Sequence, residues 1–199
     1  MGQSMWARTA LLVVLVGLVP MEGVLAQGPV VSYPREYRTG LVKYAVVDRV
    51  DGLSRDLYAS KDAIEALTHD PGLREFPVGT LFAIDVYRAK VLGRDPRSGA
   101  TVFATDRQKH LVRGGGERTL HLMQKTQPGF GSRNWTFGGF DPVTAEPLKL
   151  ELPGDCLLCH QAAVVSDMAF SMSLLKRFAA SGTVQYSYCP QPGRQICPF

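Results

Sequence analysis

The feature that most constrains this chain is a C-x-x-C-H sequence close to its C-terminus. In the stretch LPGDCLLCHQAAVVSD, Cys156, Cys159 and His160 supply two thiols and an imidazole. Two thiols at this spacing suit thioether bonds to the two vinyl groups of a haem, while the adjacent imidazole reaches the iron. The motif therefore predicts one covalently bound haem c. A zinc site or a redox-active cysteine pair is the alternative for so short a motif.

The N-terminus predicts export. Arg8 precedes the apolar run ALLVVLVGLV, and Pro20 and the small residues of GVLA follow it. This is the layout of a secretory signal peptide, so residues 1–26 are predicted to be removed by cleavage near Ala26. The run has about half of the ~20 apolar residues that span a bilayer. The mature chain, residues 27–199, is thus expected to be a single soluble domain in the periplasm. An uncleaved N-terminal anchor is the alternative.

The charge of the mature chain argues against a nucleic-acid binder. The whole chain has a formal net charge of +4, and loss of Arg8 and Glu22 with the signal peptide leaves this value unchanged. A mildly basic chain without a clustered basic stripe favours docking to an acidic partner, such as a redox partner protein. No glycine-rich phosphate loop and no Ser-His-Asp order is visible, so nucleotide use and hydrolysis have no support.

The remaining two cysteines predict a disulfide. Cys189 and Cys197 lie in YCPQPGRQICPF, where a Pro-Gly turn can bring them within bonding distance. A tetrathiolate zinc site needs a second C-x-x-C, which this chain lacks. Because exported thiols oxidise, we expect Cys189 and Cys197 to bond to each other and pin the tail.

The pattern of the chain predicts an α+β fold that is mostly β. Five segments are rich in β-branched and aromatic residues and are separated by turn sequences such as DPRSG and RGGGE, which is typical of antiparallel strands. These segments are LVKYAVVD, GTLFAIDVYRAKVL, ATVFATDRQKHLV, RTLHLMQKT and NWTFGGF. Two helices are predicted, one after Ser60 and one after Asp167 that ends at Gly182.

A strand-rich body with a C-terminal C-x-x-C-H resembles the cytochrome P-460 family and its relative cytochrome c′-beta. The segments that carry the resemblance are YPREYRTGLVKYAVVDR, RDLYAS, FPVGTLFAIDVY, NWTFGGFDP and CLLCHQAAVVSDMAF. They run in order across residues 33–178, and the motif with Asp167 and Phe170 after it is among the more specific parts. The resemblance implies an antiparallel sheet with short helices, one covalent haem c, a proximal histidine, an open distal face and a homodimer built through the sheets.

One departure from the family bears on chemistry. In the hydroxylamine-oxidising members, a lysine on the strand after the F-P-x-G-T motif is cross-linked to the haem edge. The corresponding stretch here, LFAIDVY, has no lysine, and Lys90 at the far end of the segment is the nearest. The resemblance therefore points to the cytochrome c′-beta side, in which an apolar pocket binds nitric oxide or carbon monoxide. Whether the chain is an enzyme stays open.

The candidates for the distal haem pocket are apolar and aromatic, namely Phe82, Ile84, Trp135 and Phe137. Core packing is the alternative for each of them, because inward-facing strand residues are usually core. Glu146 lies near the place where some family members carry an acidic group that relays protons. A solvated surface glutamate is its alternative.

Four side chains are candidates for a sixth iron ligand: His69, His110, His121 and Met123. Two classes of function follow. In the first, an open iron binds or processes small nitrogen ligands such as nitric oxide or hydroxylamine. In the second, the protein is a plain electron carrier whose haem has two axial ligands. A secreted β protein with a redox or zinc C-x-x-C is a third, non-haem class.

Overall fold

The structure is a computed structural model that describes residues 31–148, 156, 159–193 and 195–197. The predicted signal peptide lies outside the described residues. Within those ranges, none of the helices is both long and apolar enough to cross a bilayer. The fold is α+β and mostly β, which confirms the predicted class.

The strands form one large sheet and one small one. Six of them lie in the order β7-β6-β3-β2-β1-β8, and β4 and β5 form a separate two-stranded sheet. Neighbours in the large sheet are antiparallel except for β8, which runs parallel to β1. The strands are β1 (Val42–Arg49), β2 (Leu53–Ala59), β3 (Leu81–Arg88), β4 (Val91–Arg94), β5 (Thr101–Phe103), β6 (Thr119–Lys125), β7 (Trp135–Phe140) and β8 (Gln185–Cys189).

The predicted strands differ from the observed ones in three ways. Only Thr101–Phe103 of the predicted segment ATVFATDRQKHLV forms a strand. The predicted segment GTLFAIDVYRAKVL is divided between β3 and β4, because the chain leaves the large sheet at Ala89 and Lys90 and pairs there with Arg113 and Val112. Strands β2 and β8 are additional to the five predicted segments. Both mix polar and aromatic residues, as in SRDLYA and QYSYC, so their apolar pattern is weak.

The α-helices with described bounds are α1 (Tyr37–Gly40), α2 (Lys61–His69) and α3 (Met172–Ser181), and two short 3-10 helices lie at Ser132–Asn134 and Val164–Ser166. Helix α2 follows Ser60 and α3 ends at Gly182, which has a left-handed φ of 66°, as predicted. Helix α3 begins later than predicted because Asp167 and Met168 both have positive φ, 47° and 70°. Two left-handed residues cannot continue a right-handed helix, so the chain turns sharply between the C-x-x-C-H motif and α3.

The large sheet has two differently used faces. One face packs against α2, α3 and the segment after the C-x-x-C-H motif, and its core includes Val47, Leu57, Phe82 and Met168. The other face carries Tyr58, Ala83, Leu120 and Phe140, which pack with Val31 and Tyr37 near the start of the described chain. We call these the cavity face and the outer face, because a cavity opens on the first.

Candidate functional site

The cavity lies between the sheet and the segment that contains the C-x-x-C-H motif. It has a volume of about 480 Å³, and Cys156, Cys159 and His160 line one part of it. Cys156 and residues 159–161 are helical, so a helical turn holds the motif residues at the cavity. The sequence motif and the cavity therefore coincide.

The orientation of His160 is fixed by the chain that follows it. Nδ1 of His160 lies 2.7 Å from the carbonyl oxygen of Met168. A carbonyl only accepts hydrogen bonds, so Nδ1 carries the proton and Nε2 has the free lone pair. Burial lowers the pKa of His160, and the hydrogen bond to Met168 acts in the opposite direction. A neutral imidazole with one nitrogen anchored to a carbonyl is the usual form of a metal-binding histidine.

The residue before Met168, Asp167, belongs to a buried ion pair. Asp167 accepts hydrogen bonds from Nζ of Lys125 at 2.8 Å, from Nε1 of Trp135 at 3.0 Å and from the backbone N–H of Phe76 at 2.8 Å. Asp167 and Lys125 are both fully buried. The carboxylate thus ties β6, β7 and the segment before β3 to the sharp turn after the haem motif.

The sheet supplies the apolar wall of the cavity. Phe82 and Ile84 of β3 and Phe137 of β7 line it, whereas Trp135 does not. Trp135 is buried in the core, where its ring stacks on Phe82 with centroids 5.9 Å apart. Three of the four residues proposed for the distal wall therefore line one cavity, and Trp135 supports Phe82 and Asp167 next to it. Phe137 lies beside His160, with ring centroids 5.1 Å apart, and so belongs to the histidine side of the cavity.

The cavity is less apolar than the sequence suggests. Arg55 of β2 and His121 of β6 also line it, on the same face as Ile84, because β2 and β6 flank β3 in the sheet. Burial, then the charges of Arg55 and His160, lower the pKa of His121. Burial and the neighbouring Arg49 lower the pKa of Arg55 to about 10. Two basic side chains thus accompany the aromatic wall.

The C-terminal tail closes part of the cavity. The predicted disulfide between Cys189 and Cys197 is confirmed, and Gly193, Gln195 and Ile196 inside its loop line the cavity. Arg49, which is 1% exposed, donates hydrogen bonds to the carbonyls of Gln191 and Gly193. The disulfide and Arg49 together hold the tail against the sheet.

Several other predicted residues lie away from the cavity. Glu146 and Lys90 are exposed and are not among the described residues that line it. His69 is exposed at the end of α2, and the ring of His110 stacks on Tyr186 with centroids 4.3 Å apart. Of the four candidates for a sixth ligand, only His121 and Met123 line the cavity.

Lys125 was missed at the sequence level, although a signal exists. In TLHLMQK, the residues Thr119, His121, Met123 and Lys125 occur at every second position. If Met123 faces the core, Lys125 must face it as well, because side chains in a strand alternate between the two faces. A lysine at such a position needs a buried carboxylate, and Asp167 provides it.

The family comparison can now be set beside this geometry. The family model for cytochrome P460 matches residues 34–171. The chain belongs to the cytochrome P460 family. A search of curated proteins finds no match. The family implies a haem cofactor, and its members are typically exported.

The residues at the cavity fit a haem. His160 offers a neutral imidazole nitrogen with a fixed tautomer, and Cys156 and Cys159 lie at the same cavity. Aromatic and aliphatic side chains also line the cavity, which suits a flat apolar macrocycle. Among the described residues, no group of three or more His, Cys, Asp or Glu could hold a metal ion without the haem.

Proposed function

We propose that this protein is an exported mono-haem c-type cytochrome whose open iron binds or redox-processes small nitrogen ligands such as nitric oxide and hydroxylamine. The observation that carries the proposal is the anchored His160. Its Nδ1 donates to the Met168 carbonyl at 2.7 Å, at a cavity that Cys156 and Cys159 also line. When bound, the haem supplies a redox-active iron with a coordination position for a small ligand.

The chain's own residues would have separate tasks in this function. Cys156 and Cys159 would hold the macrocycle through thioethers, and Nε2 of His160 would coordinate the iron. The rings of Phe137 and Phe170 each lie 5.1 Å from the His160 ring and restrict its rotation. A restricted imidazole would present Nε2 to the iron in one orientation.

The apolar wall would exclude water from the iron. Phe82, Ile84 and Phe137 present carbon atoms to the cavity, and Phe82 is held by the rings of Phe76 and Trp135, 5.0 and 5.9 Å away. A rigid apolar wall disfavours bound water beside it in comparison with small uncharged ligands. This supports nitric oxide as a ligand.

The lysines support ligand binding over hydroxylamine oxidation. No lysine is among the described residues that line the cavity. Lys90 is exposed, and Lys125 is engaged by Asp167. A cross-link to the macrocycle would need a lysine at the cavity, so an unmodified haem c is proposed.

The partners of this cytochrome are proposed from the sequence and the family resemblance. The net charge of +4 favours an acidic redox partner protein. A homodimer through the sheets and a periplasmic location follow from the resemblance and from the signal-peptide pattern of residues 1–26.

A six-coordinate electron carrier is the second candidate function. His121 and Met123 line the same cavity as His160, and either side chain is a known type of axial ligand. The pKa of His121 is lowered, which favours the neutral imidazole that coordination requires. Its Nε2 lies 3.0 Å from the hydroxyl of Thr119, so coordination through this nitrogen would replace that hydrogen bond. This candidate predicts a low-spin haem that does not take up carbon monoxide or nitric oxide.

The test combines intact mass with optical spectra of protein expressed in the periplasm. We expect the mass of one haem on the mature chain, a high-spin ferrous spectrum, and uptake of carbon monoxide and nitric oxide. His121→Phe and Met123→Leu should leave the spin state unchanged, as should the exposed control His69→Phe. A low-spin haem that becomes high-spin in either cavity variant would support the electron carrier instead. A mature chain without added haem mass would contradict both.

A further inference from the structure

Arg55 is a charged residue of the cavity to which the proposed function assigns no role. It lies on β2, opposite Val47 of β1 and Val86 of β3, and all three residues line the cavity. Its neighbours are therefore mainly aliphatic, and its guanidinium shares the cavity with His121 and His160.

The guanidinium of Arg55 has no hydrogen-bond partner and no ion-pair partner among the described residues. Its Nε is buried and unsatisfied. Nε of the nearby Arg49 also makes no hydrogen bond, but Arg49 differs because a terminal nitrogen donates to the carbonyls of Gln191 and Gly193. Arg49 also lies 3.4 Å from a carboxylate oxygen of Asp51. Arg55 is half-buried, and a partly desolvated cation without a partner is costly, so the cavity favours an anionic ligand beside it.

The charges around the cavity indicate the sign of the charge on a ligand of Arg55. Two arginines and two histidines line the cavity, and none of the described residues that line it is aspartate or glutamate. Burial, followed by the repulsion of Arg49, lowers the pKa of Arg55 to about 10. An anion in the cavity would relieve this repulsion, and a low dielectric would strengthen the attraction.

We propose that Arg55 binds a planar anion with two oxygens inside the cavity. The guanidinium fork matches a carboxylate or a similar oxyanion through two parallel hydrogen bonds. Two sources share this chemistry: a propionate carboxylate of the haem and a free anion such as nitrite. The propionate source rests on the proposed function, and the free anion does not.

The experiment compares Arg55→Gln and Arg55→Lys with the wild type and with Arg74→Gln. Arg74 is exposed and makes no ion pair among the described residues, so its variant controls for loss of one positive charge. Two measurements are made on the haem-loaded protein: the propionate bending band in the resonance Raman spectrum, and a nitrite titration followed by the Soret band. Arg55 makes no hydrogen bond in the described structure, so both variants are expected to fold.

The two sources give different results. If Arg55 binds a propionate, Arg55→Gln shifts the Raman band and lowers the haem midpoint potential without added nitrite, and Arg55→Lys gives a smaller shift. If Arg55 binds a free anion, the Raman band stays unchanged and nitrite affinity falls about tenfold or more. The proposal is overturned if Arg55→Gln matches Arg74→Gln in both measurements.

Failure of the proposed function can be told apart from failure of this inference. Intact mass first reports whether a haem is attached. If it is not, the cytochrome function fails, and the anion site is tested by calorimetric titration of nitrite into the purified protein. Binding that Arg55→Gln abolishes would still support the site, and no binding to the wild type would overturn it.

Discussion

The two faces of the large sheet bury charge in different ways. On the outer face, Asp85 is fully buried and accepts hydrogen bonds from Tyr37 at 2.6 Å, Tyr87 at 2.8 Å, Arg38 at 2.8 Å and Arg118 at 2.8 Å. On the cavity face, Arg55 has no partner among the described residues. A buried charge that has hydrogen-bond partners within the protein holds structural elements together. A charge without such partners at a cavity is available to a ligand.

The cavity face also contains charges that are partnered within the protein, namely Arg49 in the lining of the cavity and an ion pair beside the cavity. Lys125 and Asp167 pair at 2.8 Å, and neither is among the described residues that line the cavity. This pair has the same structural task as Asp85, because it joins elements distant in the sequence. The sheet thus carries two buried charge clusters that join elements, around Asp85 and Asp167, and one cavity arginine without a partner among the described residues. Substitution of one residue in each tests its role.

The largest effect is expected from Lys125→Met. This change leaves the carboxylate of Asp167 buried with only the neutral donors of Trp135 and Phe76. The free energy of unfolding should fall by about 3–5 kcal/mol, because an uncompensated buried charge is costly. Urea unfolding measures it, with the exposed Lys61→Met as the control. The double variant Lys125→Met/Asp167→Asn should recover part of the loss. A loss below about 1 kcal/mol would contradict the structural role of the pair.

A smaller effect is expected from Asp85→Asn on the outer face. The amide keeps the shape of the carboxylate but removes the charge that two arginines and two tyrosines contact. We expect a loss of about 2–3 kcal/mol in the free energy of unfolding, the magnitude of hydrogen bonds to charged groups. The exposed Glu65→Gln is the control.

The same variant also tests whether the two faces act independently. Asp85 is adjacent to Ile84 in β3, so its side chain lies on the opposite face from the cavity. The haem spectrum and ligand affinity of Asp85→Asn should therefore match those of the wild type. A change in ligand affinity comparable to that of Arg55→Gln would show that the faces are coupled.

The fold class, the two longer helices, the disulfide and the role of the C-x-x-C-H motif as the centre of the site were predictable from the sequence, because each depends on a local pattern. Helix α2 follows Ser60, α3 ends at Gly182, and Cys189 and Cys197 are close in sequence. Strand β8 could not be predicted in the same way. Its parallel pairing with β1 joins residues far apart in the chain, and its exposed Tyr186 and Tyr188 give no clear apolar face.

The polar part of the candidate site was also not predictable from local pattern. Arg55 reaches the cavity through its place in the sheet, where β2 lies between β1 and β3. The alternation of β2 alone does not show which face meets the cavity. Trp135 shows the opposite case. Its aromatic character suggested a site residue, but Asp167 and Phe82 hold it in the core.

The smallest effect concerns the pH dependence of stability, which should differ between the two faces. On the outer face, burial and then the hydrogen bond to Asp85 raise the pKa of Tyr37. Above pH about 10, the unfolded chain loses this proton more readily than the folded one, so stability falls as pH rises. On the cavity face, burial and the charge of Arg55 lower the pKa of His121. Below pH about 6.5, the unfolded chain takes up this proton more readily, so stability falls as pH falls.

We therefore expect Tyr37→Phe and His121→Gln each to flatten only one side of the plot of the free energy of unfolding against pH. Tyr37→Phe should reduce the loss of stability above pH about 10, and His121→Gln should reduce the loss below pH about 6.5. Urea unfolding across this pH range gives the two slopes. Tyr37→Phe also removes the hydrogen bond to Asp85. That lowers the free energy of unfolding by the same amount at every pH at which Tyr37 is protonated, so the slope against pH still reports the titration. Arg55→Gln should also reduce the loss of stability at acid pH, since Arg55 contributes to the lowered pKa of His121. An acid slope that neither His121→Gln nor Arg55→Gln alters would mean that other groups control it.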